Sequence, residues 1–286
     1  MTAKRVTENK TIIIAEIGIN HNGDMDVVKK LIDGVKEAGA DAVKFQKRTV
    51  DVVYAPEELD RPRESPWGTT NREQKIGLEL TRANYNWIDA YCRGQNLDWF
   101  ASAWDIGSQD FLRQYNLPYN KIASAMLTDK EFVTKVAEEG KYTFVSTGMS
   151  TEAQIGKVVD IFNSKGCVFE LMQCCSTYPM PQEDANLNSI PYLRNKFGCK
   201  VGYSGHESGI IVSCAAVAMG ATSIEHHVTL SRSMYGSDQA ASLELHGLKK
   251  MIQYIRGIEV AKGKWGKFVT DNEMEIAKKL RKTNTI

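Results

Sequence analysis

The chain has 286 residues, with 36 Lys and Arg against 35 Asp and Glu and a formal charge of +1. That balance gives no reason to expect nucleic acid or a membrane surface as a partner, and no apolar run approaches the roughly 20 residues needed to cross a bilayer. A hydrophobic share of 42% and a charged share of 25% fit a soluble globular chain, long enough for an α/β barrel of about 250 residues.

Strand and helix signals alternate along the chain. Residues 11–14 are a β-branched run and read as the first strand. Residues 26–38 place Val27, Val28, Leu31, Ile32 and Val35 at helical spacing, with Gly39 as the stop. Residues 41–45 read as strand two. Residues 46–79 are polar, charged and punctuated by Pro56, Pro62 and Pro66, which predicts a functional loop over a barrel mouth. Helix 83–94 leads to strand three at 98–102, helix 108–115 to strand four at 119–123, and helix 130–139 to strand five at 142–146. Helix 152–163 leads to strand six at 168–173. A helix at 187–197, broken near Pro191, leads to strand seven at 200–203. A helix over 210–220 leads to strand eight at 221–224, and residues 243–262 form the closing helix. Eight βα units in unbroken series predict a single TIM (β/α)8 barrel over residues 1–262. Residues 263–286 read as a basic helical tail, packed outside or exchanged with a neighbour. Residues 1–10 lack an apolar core and do not read as a secretory signal. Six scattered cysteines, two of them the adjacent Cys174 and Cys175, suit reduced thiols in the cytosol better than a disulfide framework.

Polar groups recur after all eight predicted strands, on the rim where barrel enzymes act. They are Glu16; Lys44 and Gln46; Ser102; Lys121 and Ser124; Ser146 and Thr147; Ser176 and Tyr178; Ser204 and His206; Glu225 and His227. His206 and His227 follow two strands joined by one helix, which a right-handed crossover makes parallel neighbours. Two imidazoles so placed can share a divalent metal. Each residue has a plainer alternative. Lys121 either points to solvent or, if inside, needs an anion. Lys44 could pair with Asp41 on the surface, and the serines could cap helices. Clustered hydroxyls with one lysine also suit a phosphate. His21 could be a turn residue, whereas Glu16 beside Lys44 reads as a general base or a ligand. His226 is expected to face the helix layer, and Met126 and Met149 to pack.

These residues lie in motifs that resemble the catalytic barrel of sialic acid synthases. The motifs are Ala-Glu-Ile-Gly-Ile-Asn-His-Asn-Gly at 15–23, Val-Lys-Phe-Gln at 43–46, Lys-Ile-Ala-Ser at 121–124, Val-Ser-Thr-Gly-Met at 145–149 and Ser-Thr-Tyr-Pro at 176–179. To these add Val-Gly-Tyr-Ser-Gly-His-Glu at 201–207, Ile-Glu-His-His at 224–227 and Gly-Ser-Asp-Gln-Ala-Ala-Ser-Leu-Glu at 236–244. The resemblance spans about residues 11–262. It implies condensation of phosphoenolpyruvate with an N-acetylmannosamine-type sugar aldehyde, a divalent metal, Mn²⁺, as cofactor, and a homodimer.

By position, the resemblance implies His206 and His227 as metal ligands, with Lys121, Ser124, Ser146 and Ser204 around the phosphate. Lys44 and Gln46 would meet the phosphoenolpyruvate carboxylate or the acceptor. Glu16, Lys44, Tyr178 and Glu225 would carry the chemistry, and Ser176, Tyr178 and Asp238 would contact the acceptor. The pattern departs from the family at Met126, where some relatives have a carboxylate, at His226, where many have arginine, and at Ser231, where many have aspartate. Those enzymes also continue into a small antifreeze-like domain that supplies an arginine to a neighbour's sugar. This sequence is expected to lack it, leaving Arg281 as a substitute. The alternatives are a legionaminic or pseudaminic acid synthase, a metal-dependent aldolase, or a catalytically weak barrel that binds sugar or phosphoenolpyruvate.

Overall fold

A computed structural model describes residues 10–283. The reading of residues 1–10 as free of a signal falls almost wholly outside that range, as does the end of the tail. The strands in chain order are β1 (Ile12–Gly18), β2 (Ala42–Lys47), β3 (Pro62–Ser65), β4 (Gly68–Thr70), β5 (Asp98–Ala103) and β6 (Asn120–Ile122). They continue with β7 (Thr143–Ser146), β8 (Phe169–Gln173), β9 (Lys200–Gly205), β10 (Ser223–Thr229) and β11 (Leu243–Glu244). β1, β2 and β5 through β10 pair in parallel, each with the next, and β10 returns to β1. Eight parallel strands thus close into the expected TIM-like barrel. Helices wrap its outside, from Met25–Ala38 to Leu245–Lys262.

The helices start where polar caps stand. Thr81 and Thr151 each form a reciprocal capping box, with Asn84 and Gln154 respectively, and Asp24, Asp105 and Asp129 cap three further helices. Strand parity fills the barrel. Ile14, Phe100 and Phe144 lie two residues before Glu16, Ser102 and Ser146, so they share the inward face one layer lower. All three are fully buried. Burying a side chain of this size contributes about 2 kcal/mol. The layer is an apolar floor on which the polar rim stands.

The structure corrects four local expectations. The polar stretch 46–79 is ordered: two single-turn helices, the β3–β4 hairpin and the helix Asn71–Leu78 fill most of it. Trp67 of the hairpin packs edge-on against Tyr235 at 5.9 Å, tying the insertion to the loop after β10. Pro191 does not break its helix, because Ser189–Phe197 begins two residues earlier and the first-turn N–H groups need no helical acceptor. β10 runs on to Thr229, so His227 lies within the strand rather than after it. The tail forms the expected helix, Asp271–Leu280, but buries no residue against its own barrel, leaving Trp265, Met274, Ile276 and Leu280 exposed, so the packed placement is not seen. Among the described residues, no helix is long and apolar enough to cross a membrane.

Candidate active site

The C-terminal ends of the barrel strands surround a cavity of about 200 Å³. Register explains how the side chains meet. Glu16 lies opposite both His227 and Lys44, Gln46 opposite Ser102, Ser102 opposite Lys121, and Ser204 opposite Glu225. On β10, Glu225 and His227 share the inward face by their spacing of two. Of the residues expected from sequence to carry the chemistry, Glu16, Lys44, Gln46, Lys121, Ser124, Ser146, Ser176, Tyr178, Ser204, His206, Glu225 and His227 all line the cavity. Asp238 does not line it; its carboxylate stands 3.8 Å from Nδ1 of His227. Lys44 and Lys121 are each 2% exposed, so neither points to solvent.

One end of the cavity is built on ammonium groups. Lys44 Nζ lies 2.8 Å from a Glu16 oxygen and donates to Ser102 Oγ at 2.8 Å. Lys121 Nζ donates to Ser146 Oγ at 2.6 Å. Both lysines share Glu225, at 3.5 Å and 3.1 Å, and the Ser204 hydroxyl donates to the same carboxylate at 3.3 Å. Burial alone would raise Glu225, but the two ammonium groups hold it down to about 2. Burial pushes Glu16 the other way, up to about 7, against the pull of Lys44 and with the push of Glu225. Burial lowers Lys121, whereas Glu16 and Glu225 outweigh burial and raise Lys44. Two neighbouring carboxyls are therefore shifted in opposite directions, the arrangement that separates a base from a fixed charge.

A second group of donors lies beside the first. The Ser124 hydroxyl and the Gly148 N–H both approach Cys174 Sγ, at 3.1 Å and 3.2 Å. A Cβ on Gly148 would run into the Ser176 hydroxyl and come within 2.8 Å of Ser124 Oγ, so only glycine lets this backbone approach.

The imidazoles line the same cavity, His227 beside Glu16 in the register. The His206 and His227 ring centres lie 5.6 Å apart. An imidazole centre stands roughly 3 Å from a cation it ligates, so two rings at this separation can reach one ion. The carbonyl of Cys175 accepts from His206 Nδ1 at 2.6 Å, so the Nε2 lone pair is the acceptor, and the Tyr178 hydroxyl donates to it at 2.8 Å. Nδ1 of His227 is buried without a hydrogen-bond partner. Burial, then the neighbouring ring, lowers His206 to about 3; burial and Lys44 lower His227 to about 4. Both rings are neutral at neutral pH, the state a metal requires. Among the described residues, no three His, Cys, Asp or Glu side chains surround a point suited to a metal, so the protein offers two imidazoles.

Residues 31–267 match the NeuB family. The chain belongs to the NeuB family. N-acetylneuraminate-9-phosphate synthase of Mus musculus is 38% identical over 274 residues, covering 95% of this chain and 76% of that protein. N,N'-diacetyllegionaminic acid synthase of Campylobacter jejuni is 34% identical over 281 residues, covering 96% and 84%. The crystal structure of N-acetylneuraminic acid synthetase from Leptospira borgpetersenii, in complex with citrate, superposes with a TM-score of 0.87 at 27% identity. It covers 99% of this chain and 98% of that one. This NeuB-family protein is a phosphoenolpyruvate-dependent condensing transferase that forms a sugar acid.

Sequence reasoning missed Arg48 and Trp104. The Arg48 guanidinium lies 4.7 Å over the Trp104 ring, pairs with Glu79 at 2.8 Å and donates to Gln46, whose amide reaches Glu16 at 2.8 Å. Trp104 lines the cavity. The signal was present in part: both residues directly follow barrel strands.

Proposed function

We propose that this NeuB-family enzyme joins phosphoenolpyruvate to an N-acetylmannosamine-type sugar aldehyde, giving a nine-carbon 3-deoxy-2-keto acid and inorganic phosphate. The observation that carries this reading is that two buried ammonium groups and two neutral imidazoles line one small cavity. The ammonium end, with Ser124, Ser146 and Ser204, suits the phosphate and carboxylate of phosphoenolpyruvate. The imidazole end suits a divalent cation, and we assign His206 and His227 to Mn²⁺. The cation supplies Lewis acidity toward the sugar carbonyl.

The remaining work falls to side chains. Lys44 and Lys121 hold the anion so that its methylene carbon faces the aldehyde carbon. The C–C bond forms from the enol double bond, and the aldehyde oxygen takes up a proton. C2 then carries cationic character. Water adds there, the C–O bond to phosphate breaks, and phosphate leaves with the electron pair. Glu16, raised to about 7, suits removal of the proton from the incoming water. Glu225 stays ionised between the lysines and balances their charge. We assign Tyr178 and Asp238, beside the two imidazoles, to the acceptor, whereas Ser176 stands close to Ser124 and the anion donors.

Phosphate release from phosphoenolpyruvate, Mn²⁺ and a panel of hexosamines and their 6-phosphates tests this reading; no release with any sugar refutes it. A legionaminic-type sugar is the alternative acceptor, supported by the 34% identity to the Campylobacter enzyme, and the same panel separates the two. We read the protein as a cytosolic homodimer. Six free cysteines support the compartment and the exposed apolar tail supports association.

A further inference from the structure

We propose that Glu207 and His226 form a buried positioning pair that sets the spacing of the two imidazoles facing the cavity. The inference rests on the reading of His206 and His227 as metal ligands. Glu207 follows His206 and His226 precedes His227. Successive residues of extended chain face opposite sides, so the front pair of rings has a back pair behind it. Neither Glu207 nor His226 is exposed at all.

The Glu207 carboxylate bonds to two elements and packs against a third. One oxygen accepts from the Tyr203 hydroxyl on β9 at 2.9 Å, and the other accepts from Ser213 on the helix Ile211–Ala218 at 2.9 Å. That second oxygen stands 3.8 Å from Nε2 of His226 on β10, which has no hydrogen-bond partner. Nδ1 of His226 donates to the His227 carbonyl at 3.1 Å. Gly205, directly opposite His226 in the register, makes the room: a Cβ there would come within 2.6 Å of one Glu207 oxygen and 3.0 Å of the other. The Met180 N–H fixes the turn from the other side by donating to the His206 carbonyl at 2.8 Å.

A carboxylate taken wholly out of water is a poor source of stability, since an apolar side chain of equal volume often serves as well. It does impose distance and direction through the Tyr203 and Ser213 hydroxyls, and its bulk sets how closely the His226 ring approaches, 3.8 Å away. Glu207 therefore fixes where the end of β9 sits against β10, and so where His206 sits against His227.

Calorimetric titration of Mn²⁺ into the full chain, without substrate, tests this independently of turnover. The Glu207→Ala variant should weaken Mn²⁺ binding on the order of tenfold or more. Glu207→Gln, which keeps the volume, should weaken it less. The visible absorption of the Co²⁺-loaded protein should also shift in Glu207→Ala, because the ligand geometry changes. If Glu207→Ala does not fold, the Glu207→Gln titration decides. A lowered melting temperature with unchanged Mn²⁺ affinity and Co²⁺ spectrum would make Glu207 merely structural and overturn the proposal. Absence of Mn²⁺ binding by the unaltered protein would instead overturn the metal reading, and this proposal with it.

Discussion

Replacing Lys121 by methionine removes one of two cations that Glu225 depends on. Glu225 is 5% exposed, and its remaining partners are Lys44 at 3.5 Å and Ser204 at 3.3 Å. Removing one member of a buried ion pair costs about 3–5 kcal/mol. Lys44 still offsets part of this, so Lys121→Met should lose roughly 2–4 kcal/mol at pH 7, read by urea unfolding. Glu225 contributes stability that is present above its ordinary value of 4.5 and lost as pH falls toward 2. The deficit should therefore shrink as the solution is acidified below 4.5. Adding Glu225→Gln removes the stranded charge, so the double variant should regain at least half of the loss. Phosphate release should fall by about 10²-fold or more in both variants, because the ammonium group is absent from each. A Lys121→Met protein within about 0.5 kcal/mol of the unaltered one, or a double variant no better than the single, would refute this electrostatic account.

Three further outcomes follow from particular contacts. Glu16 is raised from 4.5 to about 7, so the folded state holds its proton in that window while the unfolded chain has lost it, and stability falls as pH rises. Glu16→Gln should therefore gain relative stability from pH 4.5 to 7 in parallel melting curves; a constant gap would contradict the raised value. A Cβ at Gly202 would collide with the Ser223 hydroxyl and lie 2.7 Å from Glu170 Oε1, so Gly202→Ala should lose on the order of 3 kcal/mol in denaturant unfolding, and an unchanged midpoint would contradict the packing. The helix Asp271–Leu280 buries no residue within its own chain, so truncation after Gly263 should leave urea stability within about 0.5 kcal/mol at protein concentrations where both forms are monomeric. The same truncation should shift the mass seen by light scattering toward the monomer.

The barrel was legible because its strands are short apolar runs between helices of clear periodicity, as at Ile12–Ile14 and Val27–Val35. Rim residues were legible because a strand's end positions its polar side chains whatever the loops do. The end of β10 was not: His226 and His227 look like a break in an apolar run, yet alternation lets one face the cavity and the other the helix layer, as expected for His226. Order in residues 46–79 was hidden because it comes from packing on other loops, such as Trp67 on Tyr235, rather than from an apolar stripe. The partner of Asp238 was hidden for the same reason, since a loop residue's neighbour depends on how the loop folds back. Nothing in the sequence singled out Glu207, because only the room left by Gly205 makes it a buried carboxylate.

The most direct test is a crystal grown with Mn²⁺ and phosphoenolpyruvate and measured at the manganese edge. The account predicts one anomalous peak about 2.2 Å from a nitrogen of both His206 and His227, with the phosphoenolpyruvate anion against Lys121 and Ser146. A peak bound by only one of the two rings, or an anion elsewhere, would contradict it.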